Sequence, residues 1–181
     1  MSSRIPRGRF VAVLGTILVF VIIRSAIGAY YPHDWMLENA LMLGVGILLV
    51  STYRNLPLSR VSYSLIFVFL CLHETGAHWT YAEVPYNDWS QALFGVSLNE
   101  TLGWERNHFD RLVHFLYGLL IAYPIREVFL RVADVRGFWG YFLPLDLVLS
   151  TSMIFELIEW GAAEYFGGEL GMAYLGTQGD I

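Results

Sequence analysis

The sequence predicts an all-α fold: a polytopic transmembrane helical bundle of about five spans that forms one integral membrane domain over residues 1–181. Three observations support this prediction. Hydrophobic residues make up 56% of the chain, and its mean hydropathy is +0.50. Charged residues make up only 15%, too few for a disordered chain or a coiled coil. Several apolar runs reach the roughly 20 residues that cross a bilayer.

The charge balance excludes nucleic acid as a partner. All 11 basic residues are arginines, against 16 acidic residues, and the net charge is −5. Binding to a phosphate backbone needs clustered positive charge instead. The single cysteine, Cys71, lies in an apolar stretch and is interpreted as a packing residue.

Five apolar runs are predicted to span the membrane. The first, residues 10–30, follows a basic segment and so resembles a signal peptide. Its run is long for that purpose, however, and Arg24 interrupts the region where a cleavage site would follow, so we interpret it as a retained span. The other four spans are predicted at residues 35–53, 61–81, 111–130 and 138–163.

The arginines set the predicted topology, because short cytoplasmic connections accumulate basic residues. Eight of the 11 arginines fall on one side of the predicted spans: Arg4, Arg7, Arg9, Arg54, Arg60, Arg126, Arg131 and Arg136. The opposite connections, residues 31–34 and 82–110, are acidic, and Arg106 is their only arginine. The N-terminus is therefore predicted to be cytoplasmic and the acidic connections extracytoplasmic.

A long connection rich in Trp, Tyr and Phe joins the third and fourth spans. Connections of this length usually carry structure or function of their own, and aromatic side chains at this level often sit among lipid headgroups. We expect a re-entrant or interfacial helix over residues 88–102 that forms a lid. An aromatic belt with no further role is the alternative, and the sequence does not decide between the two.

Ionisable residues in the last three spans form the candidate site, because burying such groups in a membrane is costly. Residues three or four apart share a helix face. Three pairs have this spacing: Glu74 with His78, Asp110 with His114, and Glu156 with Glu159. The predicted topology places all six at about one depth near the outer surface. His73 lies on a different face from His78 and is interpreted as a supporting or packing residue.

Carboxylate and imidazole groups that project from facing helices are typical of divalent-metal sites in helical bundles. The candidate metal ligands are Glu74, His78, Asp110, His114 and Glu159. Glu156 is the candidate general base, and Arg111 with Arg106 would neutralise an anionic substrate. Glu38 and Arg24 fall near the same level as candidate counter-ions. In the alternative reading, these pairs only hydrogen-bond to each other and tie the helices together.

Five motifs follow one another along the chain from the third span onward. They are residues 73–85 (HETGAHWTYAEVP), residues 106–114 (RNHFDRLVH), Arg126-Glu127 with Arg131, residues 156–160 (ELIEW) and residues 176–180 (GTQGD). Together they resemble the YjdF-type bacterial inner-membrane proteins, a family whose domain has no assigned function. Residues 110–115 (DRLVHF) are similar, more remotely, to the Asp-Lys-x-x-His-Phe signature of VanZ-like membrane proteins, which are linked to glycopeptide-antibiotic tolerance.

The YjdF-type resemblance implies a bacterial inner-membrane location and a polar site on the outer face, but it implies no reaction. Members of that family usually continue past the position of Ile181, with a Trp-Asp pair and a further acidic residue, into one more span. We therefore expect Asp180 to begin a site element that this chain lacks, which would make the molecule a truncated or inactive version.

Three functions remain open from the sequence. The leading one is a metal-dependent hydrolase or transferase, with a divalent metal as cofactor, that acts on a lipid or envelope precursor. The second is a proton- or cation-coupled transport component, although the inner halves of the spans offer little beyond Asp146 as a relay group. The third is a non-catalytic lipid-binding protein of the envelope. The lipid bilayer is a partner in all three cases, and the substrate and oligomeric state stay open.

Overall fold

The computed structural model of the protein describes residues 6–166, and within this range it contains seven α-helices and no strand. The helices are α1 Arg7–Ala26, α2 Pro32–Thr52, α3 Arg60–His78, α4 Tyr86–Phe94, α5 Leu98–Leu102, α6 Phe109–Val132 and α7 Trp139–Phe166. The all-α prediction is confirmed over this range. The predicted site element at Asp180 lies outside the described residues.

Four of the described helices are long and apolar enough to cross a membrane. They are α1, α2, α6 and the Trp139–Ile158 part of α7, and each overlaps one predicted span. Helix α3 coincides with the remaining predicted span but ends at His78 instead of residue 81. It is not among the four because the polar residues of its last turns, including His73 and Glu74, lower its hydropathy.

Helix α3 is the centre of the bundle. It packs extensively against α1 and α6 and less closely against α2, while α7 packs against α6. The backbone N–H of Tyr30 donates to the carbonyl of His78 at 3.0 Å, which joins the α1–α2 connection to the end of α3. Helices α2 and α6 begin at this same end, and we call it the α4–α5 end, because α4 and α5 connect α3 to α6 there.

At the opposite end, Glu127 of α6 caps the start of α3. Its carboxylate accepts hydrogen bonds from the backbone N–H of Ser59 at 2.8 Å and from the hydroxyl of Ser62 at 2.5 Å. Arg131 donates to the same carboxylate at 3.1 Å and to the carbonyl of Pro57 at 2.6 Å. Ser62 is fully buried. Negative charge is thus held at the N-terminus of α3, where the helix dipole favours it.

Two short helices, α4 and α5, occupy most of the connection between α3 and α6. The hydroxyl of Tyr86 donates to Oδ1 of Asn99 at 2.6 Å and accepts from the backbone N–H of His108 at 3.0 Å. These bonds tie both short helices to the start of α6. Two large apolar side chains of α4, Leu93 and Phe94, are 75% and 76% exposed. The connection is therefore an ordered layer with exposed apolar side chains.

Candidate functional site

A long cleft runs through the bundle between α2 on one side and α6 and α7 on the other, with α3 as its floor. Its volume is about 540 Å³. Along α6 the cleft extends from Asp110 to Val128, a distance of about 27 Å at 1.5 Å per residue. This length is close to the ~30 Å thickness of the hydrocarbon core of a bilayer.

The cleft is most polar at the α4–α5 end and wholly apolar toward the opposite end. The polar end is lined by Asp34, Glu38, His73, Arg106, Asn107 and Asp110. Toward the opposite end the lining is aliphatic and includes Leu48, Leu49, Leu58, Ile66, Ile121, Ile125 and Val128. A largely apolar pocket with a few converging polar groups is typical of sites for small organic ligands.

The ionisable side chains at the polar end come from three helices and the connection before α6. Asp34 and Glu38 of α2 are 6% and 7% exposed, and His73 of α3 is 8% exposed. On the other side of the cleft, Oδ2 of Asp110 lies 3.9 Å from Nη1 of Arg106. Three carboxyl groups therefore share this end with one guanidinium among the described cleft residues.

Tyr81 lines the polar end in a strained backbone conformation. Its hydroxyl lies 2.6 Å from Nδ1 of His73. Thr80 and Tyr81 have φ values of 53° and 54°, in the left-handed region, where a non-glycine residue costs about 1–3 kcal/mol. The ring fits against α3 because Gly76 has no side chain: a Cβ there would lie 2.7 Å from Cζ of Tyr81 and closer still to Cδ1 and Cε1. Such strain persists only where the surrounding contacts hold it.

On the other wall of the cleft, His114 of α6 lies between two side chains of α7. Its Nδ1 is 2.9 Å from Oγ of Ser152, and its Nε2 is 2.8 Å from Oε1 of Glu156. Ser152 and Glu156 are four residues apart and so share a face of α7. A second contact lies about one turn away, where the hydroxyls of Tyr117 and Thr151 are 2.8 Å apart.

The comparison with known proteins assigns the family. A family model described as "Predicted membrane protein (DUF2238)" matches residues 10–181. The chain belongs to the DUF2238 family. It is similar to the inner membrane protein YjdF of Escherichia coli strain K12, with 37% identity over 164 residues, which cover 90% of this chain and 74% of the relative. No solved structure matches the chain.

These matches confirm the YjdF-type resemblance of the sequence motifs. Together with the apolar helices, they support a bacterial inner-membrane location for this DUF2238 protein. The remote similarity to VanZ-like proteins stays a prediction.

In this DUF2238 protein, Glu74 and His78 of α3 face α1 and the start of α2 and do not line the cleft. Glu74 is 1% exposed, and its carboxyl group lies beside Ser25 of α1 and Trp35 of α2. Nδ1 of His78 is 2.7 Å from the carbonyl oxygen of Ser25. The indole N–H of Trp35 donates to the Ser25 hydroxyl at 2.8 Å. The pair does share one helix face, and that face joins α3 to α1 and α2.

The predicted metal ligands are therefore distributed over two regions. Asp110 and His114 line the cleft, whereas Glu74 and His78 do not. Among the described residues, no three His, Cys, Asp or Glu side chains lie close enough to share an ion. The side chain of Glu159 lies outside the described part of the chain. The ligand set and a divalent metal cofactor stay predictions of the sequence.

The candidate catalytic residues have different surroundings. Glu156 lies beside His114 at the α6–α7 wall. Arg111 is exposed and is not part of the cleft lining, whereas Arg106 lines the cleft beside Asp110. Of the two arginines, Arg106 is the better placed to meet a ligand in the cleft.

Sequence patterns give no functional role to Ser152 and Tyr81, and only a supporting role to His73. Ser152 precedes Glu156 by four residues, and this spacing could have indicated from the sequence that the two share a helix face. For Tyr81, the corresponding signal is the shared helix face of His73 and Gly76, because a glycine beside a histidine leaves room for an aromatic ring.

Proposed function

We propose that this protein binds a long-chain amphiphile of the bacterial envelope. The hydrocarbon tail lies along the apolar part of the cleft, and the headgroup lies among the polar groups at the α4–α5 end. The proposal rests on the one-sided polarity of a cleft that is about as long as the hydrocarbon core is thick.

The dimensions of the cleft favour an elongated small-molecule ligand. The lining of the cleft follows α6 for about 27 Å, and the cleft volume is about 540 Å³. The volume also falls within the range of about 300–1,000 Å³ found for small-molecule sites.

The charges at the polar end favour a headgroup that donates hydrogen bonds. Carboxyl groups of Asp34, Glu38 and Asp110 line this end, and Arg106 is the one arginine that lines it among the described residues. An anionic phosphate would meet more like charge than unlike charge there. Hydroxyl or ammonium groups would find acceptors instead. The headgroup class is therefore hydroxyl-rich or amine-bearing.

We infer that α3 is a fifth span and that the α4–α5 end faces outward. Helix α3 packs between α1 and α6, and its 19 residues reach about 28 Å. Basic residues concentrate at the opposite end, which favours a cytoplasmic location for that end: Arg54, Arg60, Arg131 and Arg136. The exposed Leu93 and Phe94 then lie at the level of the outer headgroups, as apolar residues of interfacial helices do.

Cysteine labelling in intact spheroplasts tests this topology. In a Cys71→Ser background, we expect Gln91→Cys in α4 to react with a membrane-impermeant maleimide, because Gln91 is exposed at the α4–α5 end. Asn55→Cys, between α2 and α3, is expected to react only after the membrane is permeabilised. The reverse pattern would contradict the outward orientation.

The lining of the cleft supports lipid binding more than ion transport. A relay across the membrane needs polar groups at successive depths. Beyond the polar end, the described lining has His114 and Ser152 about one helical turn deeper, then Tyr117 and Thr151 about one turn further, and only apolar side chains from there to Val128. A hydrocarbon chain is well solvated in that part, whereas a proton or cation is not.

Blocking the cleft tests the proposed occupant. Ile121 lines the apolar part of the cleft, and we expect Ile121→Trp to lower the amount of lipid that copurifies with the protein by about tenfold, equivalent to ~1.4 kcal/mol of binding free energy. The bulkier ring would fill the space that the tail occupies. Native mass spectrometry of protein released from nanodiscs, followed by lipid extraction, measures the occupancy and identifies the headgroup.

The matched control is Leu119→Trp, two residues away on α6. Leu119 is 62% exposed and does not line the cleft, so this variant is expected to retain the bound lipid. Equal occupancy in both variants, or wild-type protein that carries no lipid, would contradict the proposal. A second copy of the chain in the cleft would instead appear as a dimer that Ile121→Trp dissociates.

A further inference from the structure

We propose that Ser152, His114 and Glu156 act as nucleophile, general base and orienting carboxylate in the cleavage of an acyl ester of the bound amphiphile. The identity of the substrate rests on the proposed function. The arrangement of the three side chains rests on its own geometry.

The three groups are linked in the order that nucleophilic catalysis requires. Oγ of Ser152 lies 2.9 Å from Nδ1 of His114, and Nε2 of His114 lies 2.8 Å from Oε1 of Glu156. Both distances are within the hydrogen-bond reach expected of a nucleophile, its base and the group that orients the base. Such constellations are recognised by geometry and role, and they recur on unrelated folds.

The placement of the three groups in the cleft matches these roles. Ser152 and His114 line the cleft, and Glu156 is not among its lining residues. The nucleophile and the base therefore face the ligand, while the Glu156 carboxylate orients the His114 imidazole from outside the cleft. With the proton on Nε2, His114 donates to Glu156 and keeps Nδ1 free to accept the proton of the Ser152 hydroxyl.

The depth of Ser152 identifies the bond that it would attack. His114 follows Asp110 by four residues and so lies about 6 Å deeper along α6 than the polar end of the cleft. In an acyl lipid, the ester carbonyl lies just below the headgroup, where the tail begins. A headgroup held beside Asp110 would place such a carbonyl at the level of His114 and Ser152.

The reaction is an ester hydrolysis in two halves. In the first, Oγ of Ser152 bonds to the carbonyl carbon and its proton passes to Nδ1 of His114; the carbon–oxygen bond to the alcohol then breaks, and the alcohol leaves with that proton. In the second, water gives a proton to His114 and attacks the acyl–Ser152 ester. The fatty acid leaves, and the proton returns to Ser152. One ester and one water yield one alcohol and one acid.

Covalent labelling tests the nucleophile directly. We expect an alkyl fluorophosphonate to modify Ser152 of the full chain in nanodiscs, as located by mass spectrometry of the labelled peptide. Ser152→Ala should abolish the label. Ser150→Ala is the matched control, because Ser150 lies two residues away and does not line the cleft, and it should label as the wild type does.

Two conservative variants test the roles of the partners. His114→Gln keeps a hydrogen-bonding side chain but is not a base, and it should slow labelling by about 100-fold. Glu156→Gln should slow it by at least about tenfold, because the amide no longer fixes the imidazole in the right tautomer. A contact that only ties α6 to α7 would lower the melting temperature in these variants and give no labelling in the wild type.

The outcomes separate this inference from the proposed function. A wild-type protein that carries lipid but leaves Ser152 unlabelled, or labels at a rate that His114→Gln does not change, overturns the inference and leaves lipid binding intact. A protein that labels at Ser152 but carries no lipid overturns the proposed occupant and supports the nucleophile. Hydrolysis of p-nitrophenyl palmitate in preference to the acetate, with that preference lost in Ile121→Trp, supports both.

Discussion

Replacing Gly76 with alanine is expected to destabilise the protein by about 1–3 kcal/mol, the usual cost of adding volume to a packed site. The new Cβ would lie 2.7 Å from Cζ of Tyr81 and closer to two other ring atoms, so the ring must move. Its movement would also break the 2.6 Å contact between the Tyr81 hydroxyl and His73. Thermal unfolding in detergent, followed by circular dichroism, measures the effect.

Two further variants make this prediction specific. Gly46 of α2 has no atom within 4 Å of the position of an added Cβ, so Gly46→Ala should be neutral or stabilise by up to about 1 kcal/mol. Because the three nearest atoms at Gly76 all belong to Tyr81, Gly76→Ala should cost little in a Tyr81→Ala background. Additive effects of the two substitutions would contradict the proposed contact.

Replacing Glu127 with alanine is the second large effect that we expect, a loss of about 2–4 kcal/mol of unfolding free energy. The substitution removes the acceptor of the Ser59 N–H and of the fully buried Ser62 hydroxyl. It also leaves Arg131 without the carboxylate 3.1 Å away. Glu127→Gln keeps one acceptor oxygen and should cause a smaller loss.

The control for Glu127 is an exposed ion pair at the same end of the bundle. Nε of Arg136 lies 2.7 Å from Oδ1 of Asp134, and both side chains are more than 70% exposed. Exposed pairs of this kind contribute about 0–1 kcal/mol, so Arg136→Ala should change the unfolding free energy little. Chemical unfolding of both variants in mixed micelles gives the comparison, and equal losses would contradict a specific role for the Glu127 cap.

The positions of the long helices were predictable because a helix that crosses a bilayer needs about 20 consecutive apolar residues, and such runs are visible in the sequence. The end of α3 was less predictable. Tyr81 continues the apolar and aromatic run, so hydropathy alone carries the predicted helix to residue 81. The helix ends at His78 because Thr80 and Tyr81 adopt left-handed backbone conformations. Neither position is a glycine, so the sequence gives no signal for this helix end. By contrast, Gly95 and Gly103 do mark the ends of α4 and α5.

The candidate site was predictable within each helix but not between helices. The spacing of Glu74 and His78 places them on one face of α3, and both do contact Ser25. Which neighbour that face meets depends on packing, since α3 has helices on three sides. His114 and Glu156 meet because α6 and α7 follow each other along the chain, and such neighbours usually pack together.

The central position of α3 has a consequence for biosynthesis. Helices α1 and α2 both pack against α3, which follows them in the chain. As the nascent polypeptide emerges from the ribosome at roughly 5–20 residues per second, the first hairpin enters the lipid before its principal partner has been made. Lateral assembly of the two N-terminal helices therefore awaits translation of the segment that ends at His78. A ribosome paused before that point would hold two inserted helices that still lack the surface on which they dock.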